Sequence, residues 1–437
     1  VKRIVVMNMK FHPYSKKLDC GHNKPINTKD FAFEATKIGV EPSEVLKIWC
    51  SQGNISTIEN LHLFPNLTLL NLWRNNIKEI HGLESNQRLD DLWLGENQIQ
   101  RIENLDRCIN LQSLGLKKNR ITKIEGLDNL KNLVSLGLQG NQIEKIEGLN
   151  MLSQLQILAL SGNKIKKIEG LEQLGSLKKL ILGGNKITRI KGLERLMTLE
   201  QLWLGGNQIT KIEGLDHLKK LTWLGLSMNP IEKIEGLDNL GRLEVLELDY
   251  SSISKIENLE PLHALKELHL SNCNIPDIES VAHFSNLKIL DLSGNQISRI
   301  KGFKNINRLD ELILRDNQIS EIEGIPDVHH LDLSGNRIER IENVDGEWLR
   351  RLSLANNNIS TIDELERANV SLSELDLRDN HIKSIEGILQ METIYELAIG
   401  GNPLPGEILD WCNDDGRVEW SVQDQFFPFC KEFYGIS

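Results

Sequence analysis

One string of residues recurs about every 22 positions through most of this chain, and it constrains the fold more than any other feature. Three consecutive copies read LQSLGLKKNRITKIEGL, LVSLGLQGNQIEKIEGL and LQILALSGNKIKKIEGL, and they begin at Leu111, Leu133 and Leu155. Counted by the asparagine of the pattern LxxLxLxxNxI, 17 units cover roughly residues 45–403. The residues in the asparagine position are Gly53, Asn75, Asn97, Asn119, Asn141, Asn163, Asn185, Asn207, Asn229, Ser251, Cys273, Asn295, Asn317, Asn336, Asn357, Asn380 and Asn402.

The pattern predicts a short β-strand in every unit. Within LxLxx, successive residues point to opposite faces, so the two leucines point inward and the residues between them point outward. One unit cannot bury its leucines alone, and neighbours must therefore stack as parallel strands about 4.8 Å apart around a shared core. The asparagine follows the strand, where its amide can bind backbone groups that the turn leaves unpaired. We therefore expect a solenoid in which the asparagine column is structural.

The two ends of the array should form caps, over residues 1–44 and 404–437, because a terminal unit has one open face. A polar start and a terminal glycine predict a helix over 27–39, followed by a helical turn at 42–44 and the first strand near Ile48. At the other end, Pro403 should stop the ladder of strands, and a helix should follow in the segment GEILDWC. The aromatic tail after it is either a lid over the last leucines or a docking element for a partner.

Composition narrows the class of protein. A net charge of −11 argues against a nucleic-acid partner, and no apolar run reaches the 18 residues of a membrane span. The first residues make a poor secretory signal, and the six cysteines have no framework spacing, so we expect reduced thiols in a cytoplasmic protein, present as a monomer. The cysteines are Cys20, Cys50, Cys108, Cys273, Cys412 and Cys430.

The sequence contains little that indicates catalysis or metal binding. His12, Cys20 and His22 lie close enough to consider a metal clip, but four ligands at regular spacing are absent. His269 lies near Glu267 and Asp249 in the predicted sheet, yet acid–base chemistry also needs a substrate pocket, which a shallow sheet does not offer. We therefore expect no enzyme activity, no metal and no cofactor.

Charges divide the outward-facing positions, which lie six, four, two and one residues before each asparagine position. From Asn75 to Asn229 four basic residues, Lys117 among them, stand against two acidic ones, a balance of +2. From Ser251 to Asn402 three arginines stand against eleven acidic residues, a balance of −8. Such a face fits a partner protein with a basic region, although the charge could serve solubility alone. The acidic residues include Glu247, Asp249, Glu267, Asp291 and Asp332.

Four of the eight tryptophans occupy the same outward positions: Trp73 and Trp93 form one diagonal pair on adjacent strands, and Trp203 and Trp223 form another. Exposed tryptophan is uncommon and is enriched at interface hot spots, so we expect these residues to bind a partner. The alternative is stacking between neighbouring units. Glycines at nearby outward positions should leave a bare floor for a partner's side chain or helix. These glycines are Gly95, Gly115, Gly137, Gly183, Gly205 and Gly225.

Two successive units lack the asparagine and read LELDYSSI and LHLSNCNI, with Ser251 and Cys273 in its place. The loss of turn hydrogen bonds there reflects either drift or a local function. We favour a functional patch, because outward-facing polar residues cluster in these units. The patch consists of Glu247, Asp249, Tyr250, Glu267 and His269.

The repeat resembles the 22-residue class of leucine-rich repeats, which includes the nuclear regulators of type-1 protein phosphatase; the repeat cores of bacterial internalins are similar. The resemblance covers about four-fifths of the chain and implies an α/β solenoid: a right-handed horseshoe with a concave parallel sheet and 3-10 or extended segments outside. It implies a partner protein on the concave face. We therefore expect a non-enzymatic cytoplasmic scaffold or regulatory subunit, whose partner could be a phosphatase or a small GTPase. The alternative is an internalin-like adhesin at the cell surface.

Overall fold

A computed structural model describes residues 10–12, 16–19, 28–300, 303, 306, 309–344, 346–367, 371–418 and 421–436. The chain divides into two compact units, Val1–Leu224 and Gly225–Ser437, called unit 1 and unit 2 below. In both units the repeats form the predicted parallel-strand solenoid, with one strand per repeat. Turns and short 3-10 helices connect the strands.

Unit 1 begins with an antiparallel hairpin that the repeat pattern did not predict. Strands β1 and β2 pair with each other, and β2 continues in parallel onto β3, the strand of the first repeat. From β3 to β10 each strand pairs in parallel with the next in the same register, so that the middle residues, such as Leu92 and Leu114, lie side by side and buried. The strands are β1 (Lys10–His12), β2 (Lys17–Asp19), β3 (Lys47–Trp49), β4 (Leu69–Asn71), β5 (Asp91–Trp93), β6 (Ser113–Gly115), β7 (Ser135–Gly137), β8 (Ile157–Ala159), β9 (Lys179–Ile181), β10 (Gln201–Trp203) and, at the unit boundary, β11 (Trp223–Gly225).

A helix lies within the range predicted for the N-terminal end. Helix α1 spans Phe31–Lys37, and a 3-10 turn at Thr28–Asp30 precedes it. The expected turn after it is a 3-10 helix at Pro42–Glu44, and the first repeat strand contains Ile48 as predicted. A further 3-10 helix spans Leu61–Leu63.

Unit 2 repeats the same parallel register from β12 to β19, and two of its strands are longer, with five residues each. The strands are β12 (Val245–Glu247), β13 (Glu267–His269), β14 (Ile289–Asp291), β15 (Leu309–Ile313), β16 (Val328–Asp332), β17 (Arg351–Ser353), β18 (Glu374–Asp376) and β19 (Glu396–Ala398). The 3-10 helices span Glu279–His283, Asp363–Arg367 and Glu386–Ile388.

The C-terminal end caps the last repeat more fully than the sequence predicted. The parallel ladder ends at β19 before Pro403, but the cap then adds antiparallel contacts: Ile399 and Gly400 donate their backbone N–H groups to Gly416 O at 2.9 and 3.0 Å. Helix α2 (Gly406–Leu409) lies in the predicted segment, and a π-helix at Val422–Phe426 leads into α3 (Phe427–Tyr434). Phe426, Phe427 and Cys430 are buried, as a lid over the core requires.

Each asparagine of the column binds the backbone of two repeats, its own and the preceding one, as a structural role requires. Asn119 shows the arrangement: its Oδ1 accepts a hydrogen bond from Ile99 N at 2.9 Å. Its Nδ2 donates to Leu94 O at 2.9 Å and to Leu116 O at 3.0 Å. Because the amide is buried and each bond satisfies a buried backbone group, the asparagine fixes the turn after the strand in each repeat that has it.

Candidate functional site

The candidate site is the open face of the sheet, defined as the outward positions six, four, two and one residues before each asparagine position. The central leucine of each strand points into the core, and the residues on either side of it point out. The open face is therefore the surface that the repeat leaves free to vary.

In unit 1 two tryptophan rings lie over glycines of the next repeat. A Cβ atom at Gly95 would meet Trp73 Cδ1 at 2.8 Å, and one at Gly115 would meet Trp93 Cζ3 at 2.9 Å. The expectation of a bare glycine floor is therefore wrong at these two positions, because the rings already occupy the space. The rings remain 37% and 40% exposed. Each ring therefore packs against a glycine and still presents part of its surface to solvent.

Trp203 and Trp223 form a stacked pair, with ring centroids 4.8 Å apart and an interplanar angle of 19°. Both side chains are partly exposed, whereas their indole nitrogens are buried and have no hydrogen-bond partner in the part of the chain that the structure describes. The ammonium group of Lys179 lies 5.3 Å from the ring centroid of Trp203. The two rings therefore stack on each other and are less exposed than Trp73 and Trp93, and a role of this pair in partner binding stays a prediction.

A third exposed tryptophan on this face was not among the predicted site residues. Trp49 occupies an outward position in the degenerate first repeat and is 42% exposed, with the Lys17 ammonium 4.0 Å from its ring centroid. The signal was present, since Trp49 lies four residues before Gly53, but the unit lacks the asparagine that marks the others.

Basic residues lie beside these rings. Lys117 is exposed, as predicted. Glu96 binds Lys118 at 2.9 Å and Arg74 at 3.2 Å, and the hydrogen bond from Lys118 lowers the pKa of the Glu96 carboxyl. The open face of unit 1 therefore combines aromatic surface with a local excess of positive charge.

In unit 2 the predicted polar residues lie together across neighbouring strands. Glu247, His269 and Asp291 are partners in the parallel register of β12, β13 and β14. His269 Nε2 lies 3.6 Å from Glu267 Oε2, and Tyr250 is 56% exposed. The structure therefore brings the residues of the predicted patch onto one surface.

Three of the predicted aspartates also bind the protein's own backbone. Asp291 and Asp332 each accept a hydrogen bond at 2.9 Å from the backbone N–H two residues later, at Ser293 and Ser334. Asp249 Oδ1 accepts from the backbone N–H of a serine that follows the next strand, at 2.8 Å. These carboxylates therefore have a structural function in addition to any role in binding.

The two successive repeats that have Ser251 and Cys273 in place of asparagine retain part of its hydrogen bonding. Ser251 Oγ donates to Leu248 O at 2.6 Å. Cys273 Sγ lies 3.5 Å from the same carbonyl oxygen, and burial raises the pKa of its thiol to about 11. The backbone N–H of Ile231 donates to Asn229 O at 2.8 Å, a contact within its own turn. The expected loss of turn hydrogen bonds is therefore partial.

A cavity of about 680 Å³ lies on the open face of β17–β19, where the cap segment that contains Asn413, Arg417 and Val418 forms one side. The expectation that this sheet offers no pocket is wrong here, because the cap rises beside the last strand. A Cβ at Gly400 would lie 2.5 Å from the Cα of Gly416, so the absence of side chains allows strand and cap to approach this closely. The cavity lies outside the patch predicted from the sequence.

Comparisons with known proteins agree with this architecture. A family model described as Leucine Rich repeats (2 copies) matches residues 109–151, 131–173, 175–217, 263–305 and 347–390. The structure of a leucine-rich repeat protein from Leptospira interrogans is 25% identical, with a TM-score of 0.68, over 86% of this chain and 94% of that one. The chain contains leucine-rich repeats and has the fold of leucine-rich repeat proteins. The matched family is a repeat family, and no catalytic family is indicated.

Two further solved structures share this fold. The internalin InlF of Listeria monocytogenes is 22% identical, with a TM-score of 0.52, over 82% of this chain and 87% of that one. The ectodomain of the Arabidopsis receptor kinase HAESA, solved with a peptide hormone, is 22% identical, with a TM-score of 0.57, over 82% of this chain and 69% of that one. The search of curated protein sequences found no match. The closer resemblance to phosphatase regulators stays a prediction.

The remaining sequence expectations concern metals, membranes and thiols. Of the metal clip, Cys20 and His22 lie outside the described residues, and so does the side chain of His12. Within the described ranges, no group of three or more His, Cys, Asp or Glu side chains could hold a metal ion. No helix in the described part of the chain is long and apolar enough to cross a membrane. The cysteines that the structure describes are all free thiols, and burial raises the pKa of Cys108 to about 11 and that of Cys430 to about 12.

Proposed function

We propose that this protein is a non-enzymatic scaffold that binds a partner protein on the open face of its sheet. The observation that carries the proposal is the packing of the Trp73 and Trp93 rings against Gly95 and Gly115. A tryptophan ring that stays exposed does not gain the full free energy of burial in the folded protein, so exposed tryptophan is uncommon. Here two partly exposed rings pack on glycines that the repeat pattern does not require. Tryptophan held in this way is the residue type most enriched among interface hot spots.

The charges of the open face favour a partner with a basic region. The acidic residues of unit 2 carry the balance of −8 counted above, and long-range attraction by such a surface speeds and orients association. Neutralising four of them together (Glu247→Gln, Asp249→Asn, Glu267→Gln and Asp291→Asn) should reduce the association rate at low salt. An unchanged salt dependence would rule out this steering.

The regulatory-subunit role and the cytoplasmic location are finer parts of the proposal. The free thiols of the described cysteines support a reducing compartment. The fold shared with an internalin favours the second candidate, an adhesin that binds a protein outside the cell. The two candidates differ in where the partner is found, in a cytosolic extract or on intact cells.

Affinity capture with matched variants tests the proposed function. The immobilised full chain is compared with the double variants Trp73→Ala/Trp93→Ala and Trp203→Ala/Trp223→Ala. The control is Met151→Ala/Met197→Ala, which removes two side chains that are 44% and 60% exposed and lie in the turns outside the sheet. We expect a specific partner to be lost from the tryptophan variants, at about 1–3 kcal/mol per hot-spot residue, and retained by the control. Equal capture by all folded variants would refute the proposal.

A further inference from the structure

The cavity beside the C-terminal cap contains an ordered row of charges. Arg351, Glu374 and Glu396 are in-register partners on β17, β18 and β19, and Arg417 follows on the cap segment that bridges to Ala398. Arg351 Nε binds Glu374 Oε1 at 2.8 Å, and Arg417 Nη1 lies 3.7 Å from Glu396 Oε2. Across the sheet the order is therefore positive, negative, negative, positive.

The two glutamates at the centre of this row have an unfavourable electrostatic interaction with each other. Glu374 and Glu396 lie directly opposite each other on strands about 4.8 Å apart, and like charges in this arrangement repel. Their arginine partners occupy the two outer positions of the row, so the two glutamates are neighbours with no arginine of the row between them. A cation inserted there would interact with both carboxylates at once, through charge-assisted hydrogen bonds.

The cavity also offers apolar surface for the stem of a long side chain. Tyr395 lines it and is 62% exposed, although a large aromatic ring at the end of a sheet would gain from burial. Val418 and Ala398 line it as well. Lysine and arginine cover apolar surface with their stems while their charged ends bind elsewhere, and a tyrosine ring attracts a cation within about 6 Å.

We propose that this cavity binds one arginine or lysine side chain of the partner, with its cationic group between Glu374 and Glu396 and its stem against Tyr395. The proposal rests on the proposed function, because that side chain belongs to the protein held on the open face. It assigns the basic region of the partner a defined anchor at the C-terminal end of unit 2. Its volume of about 680 Å³ is within the range of roughly 300–1,000 Å³ found for ligand pockets.

The same residues disfavour an anionic ligand. Arg351 and Arg417 each already neutralise a carboxylate, so an anion would have to compete with Glu374 and Glu396 for them. An anion would also approach the repelling carboxylate pair at the centre of the row. The cation relieves that repulsion, and the two ion pairs at the ends of the row stay intact.

The test is a titration of the full chain with blocked pentapeptides, followed by methyl NMR. The probe is acetyl-GGRGG-amide, and its uncharged analogue has citrulline, an isostere of arginine, at the centre. The reporters are the methyl groups of Ala398 and Val418, and the control reporter is Ala159, which occupies the same repeat position as Ala398 in an uncharged row of unit 1. We expect saturable shifts at the two cavity methyls with the arginine peptide and none at Ala159.

Two double variants distinguish the effect of the two carboxylates on peptide affinity from the effect of overall charge. Glu374→Gln/Glu396→Gln should weaken the arginine peptide about tenfold or more, the loss of two charge-assisted contacts. The control Glu257→Gln/Glu342→Gln removes the same charge from two glutamates that pair with Lys255 and Arg340 away from the cavity, and it should bind as the parent does. Glu396→Gln alone, at a side chain that is 55% exposed, serves if the double variant does not fold.

Three results would overturn the proposal. The first is binding of the citrulline peptide as tightly as the arginine peptide, and the second is the absence of any saturable shift at Ala398 and Val418. The third is an unchanged affinity in the glutamine variants. None of these results affects capture through Trp73 and Trp93, so failure of the cavity and failure of the proposed function remain distinguishable.

Discussion

Gly115→Ala is the sharpest test of the exposed tryptophans, because it moves a ring without removing it. The added Cβ would lie 2.9 Å from Trp93 Cζ3 and closer still to Cε3, whereas carbon atoms pack at about 3.5–4.0 Å. The ring must therefore shift by roughly 1 Å or rotate away from the sheet. Gly115 itself has an ordinary backbone conformation, since it is not among the residues with positive φ in the described part of the chain.

The expected cost follows from the surface that the ring covers. Trp93 is 40% exposed, so more than half of a side chain of about 250 Å² lies against the sheet. Complete loss of that contact would cost at most about 4 kcal/mol, at about 25 cal/mol per Å². A shifted ring keeps part of its contact, and we expect the free energy of unfolding to fall by about 1–2 kcal/mol.

The matched control is Gly137→Ala, two strands along from Trp93. Its Cβ would meet Gln139 Oε1 at 3.2 Å, the far end of a flexible side chain that can move aside. We expect a change within about 0.5 kcal/mol in urea unfolding and unaltered partner capture. Fluorine NMR of 5-fluorotryptophan, assigned with Trp93→Phe, reports whether the ring has moved.

Capture should fall with the displaced ring, by about 1–3 kcal/mol for a hot-spot residue. If the Trp93 signal shifts in Gly115→Ala while the partner binds as tightly as before, this ring is not part of the interface. Equal losses in Gly115→Ala and Gly137→Ala would show that the sheet, and not the ring, had been altered.

Three further variants or treatments test the structural argument. Asn141→Ala removes bonds to Ile121 N and to two carbonyl oxygens, all at 2.9–3.0 Å, and should cost about 3–4 kcal/mol in urea unfolding; a loss below about 1 kcal/mol would contradict the column's role. Burial raises the pKa of Cys108 to about 11 and of Cys430 to about 12, so Ellman's reagent at pH 8 should label these thiols only upon unfolding, and rapid labelling of folded protein would be unexpected. Gly400→Ala should cost about 1–3 kcal/mol and speed hydrogen exchange in the cap, since its Cβ meets backbone; unchanged exchange at 413–418 would contradict this.

The repeat strands could be predicted from the sequence because their causes are local. Alternation places Leu114 and Leu116 in the core, and Asn119 satisfies backbone groups of its own repeat and of the preceding repeat. Both signals recur at a fixed period, so one unit predicts the next. The β1–β2 hairpin has no counterpart in that period, and nothing in the repeat pattern indicates it.

The geometry of the site was harder to predict because it depends on contacts between neighbouring repeats and between the last repeat and the cap. The outward position of Trp93 followed from alternation, but its seat on Gly115 depends on the direction of the ring. The cavity depends on the approach of Gly416 to Gly400 across the cap turn, which no repeat spacing encodes. Sequence alone therefore indicated which residues face outward and not which of them pack together.

The acidic residues of unit 2 divide into two groups that should contribute differently to binding. The carboxylates of Asp291 and Asp332 accept backbone N–H groups, which fixes their position and occupies one oxygen of each. Glu374 and Glu396 extend further from the backbone, pair with arginines, and line the cavity. Long-range attraction depends on the sum of both groups, since it is insensitive to the direction of one side chain. Direct contacts require carboxylate oxygens that can still accept a partner's donor, so the glutamates should determine the dissociation rate while all the acids determine the association rate.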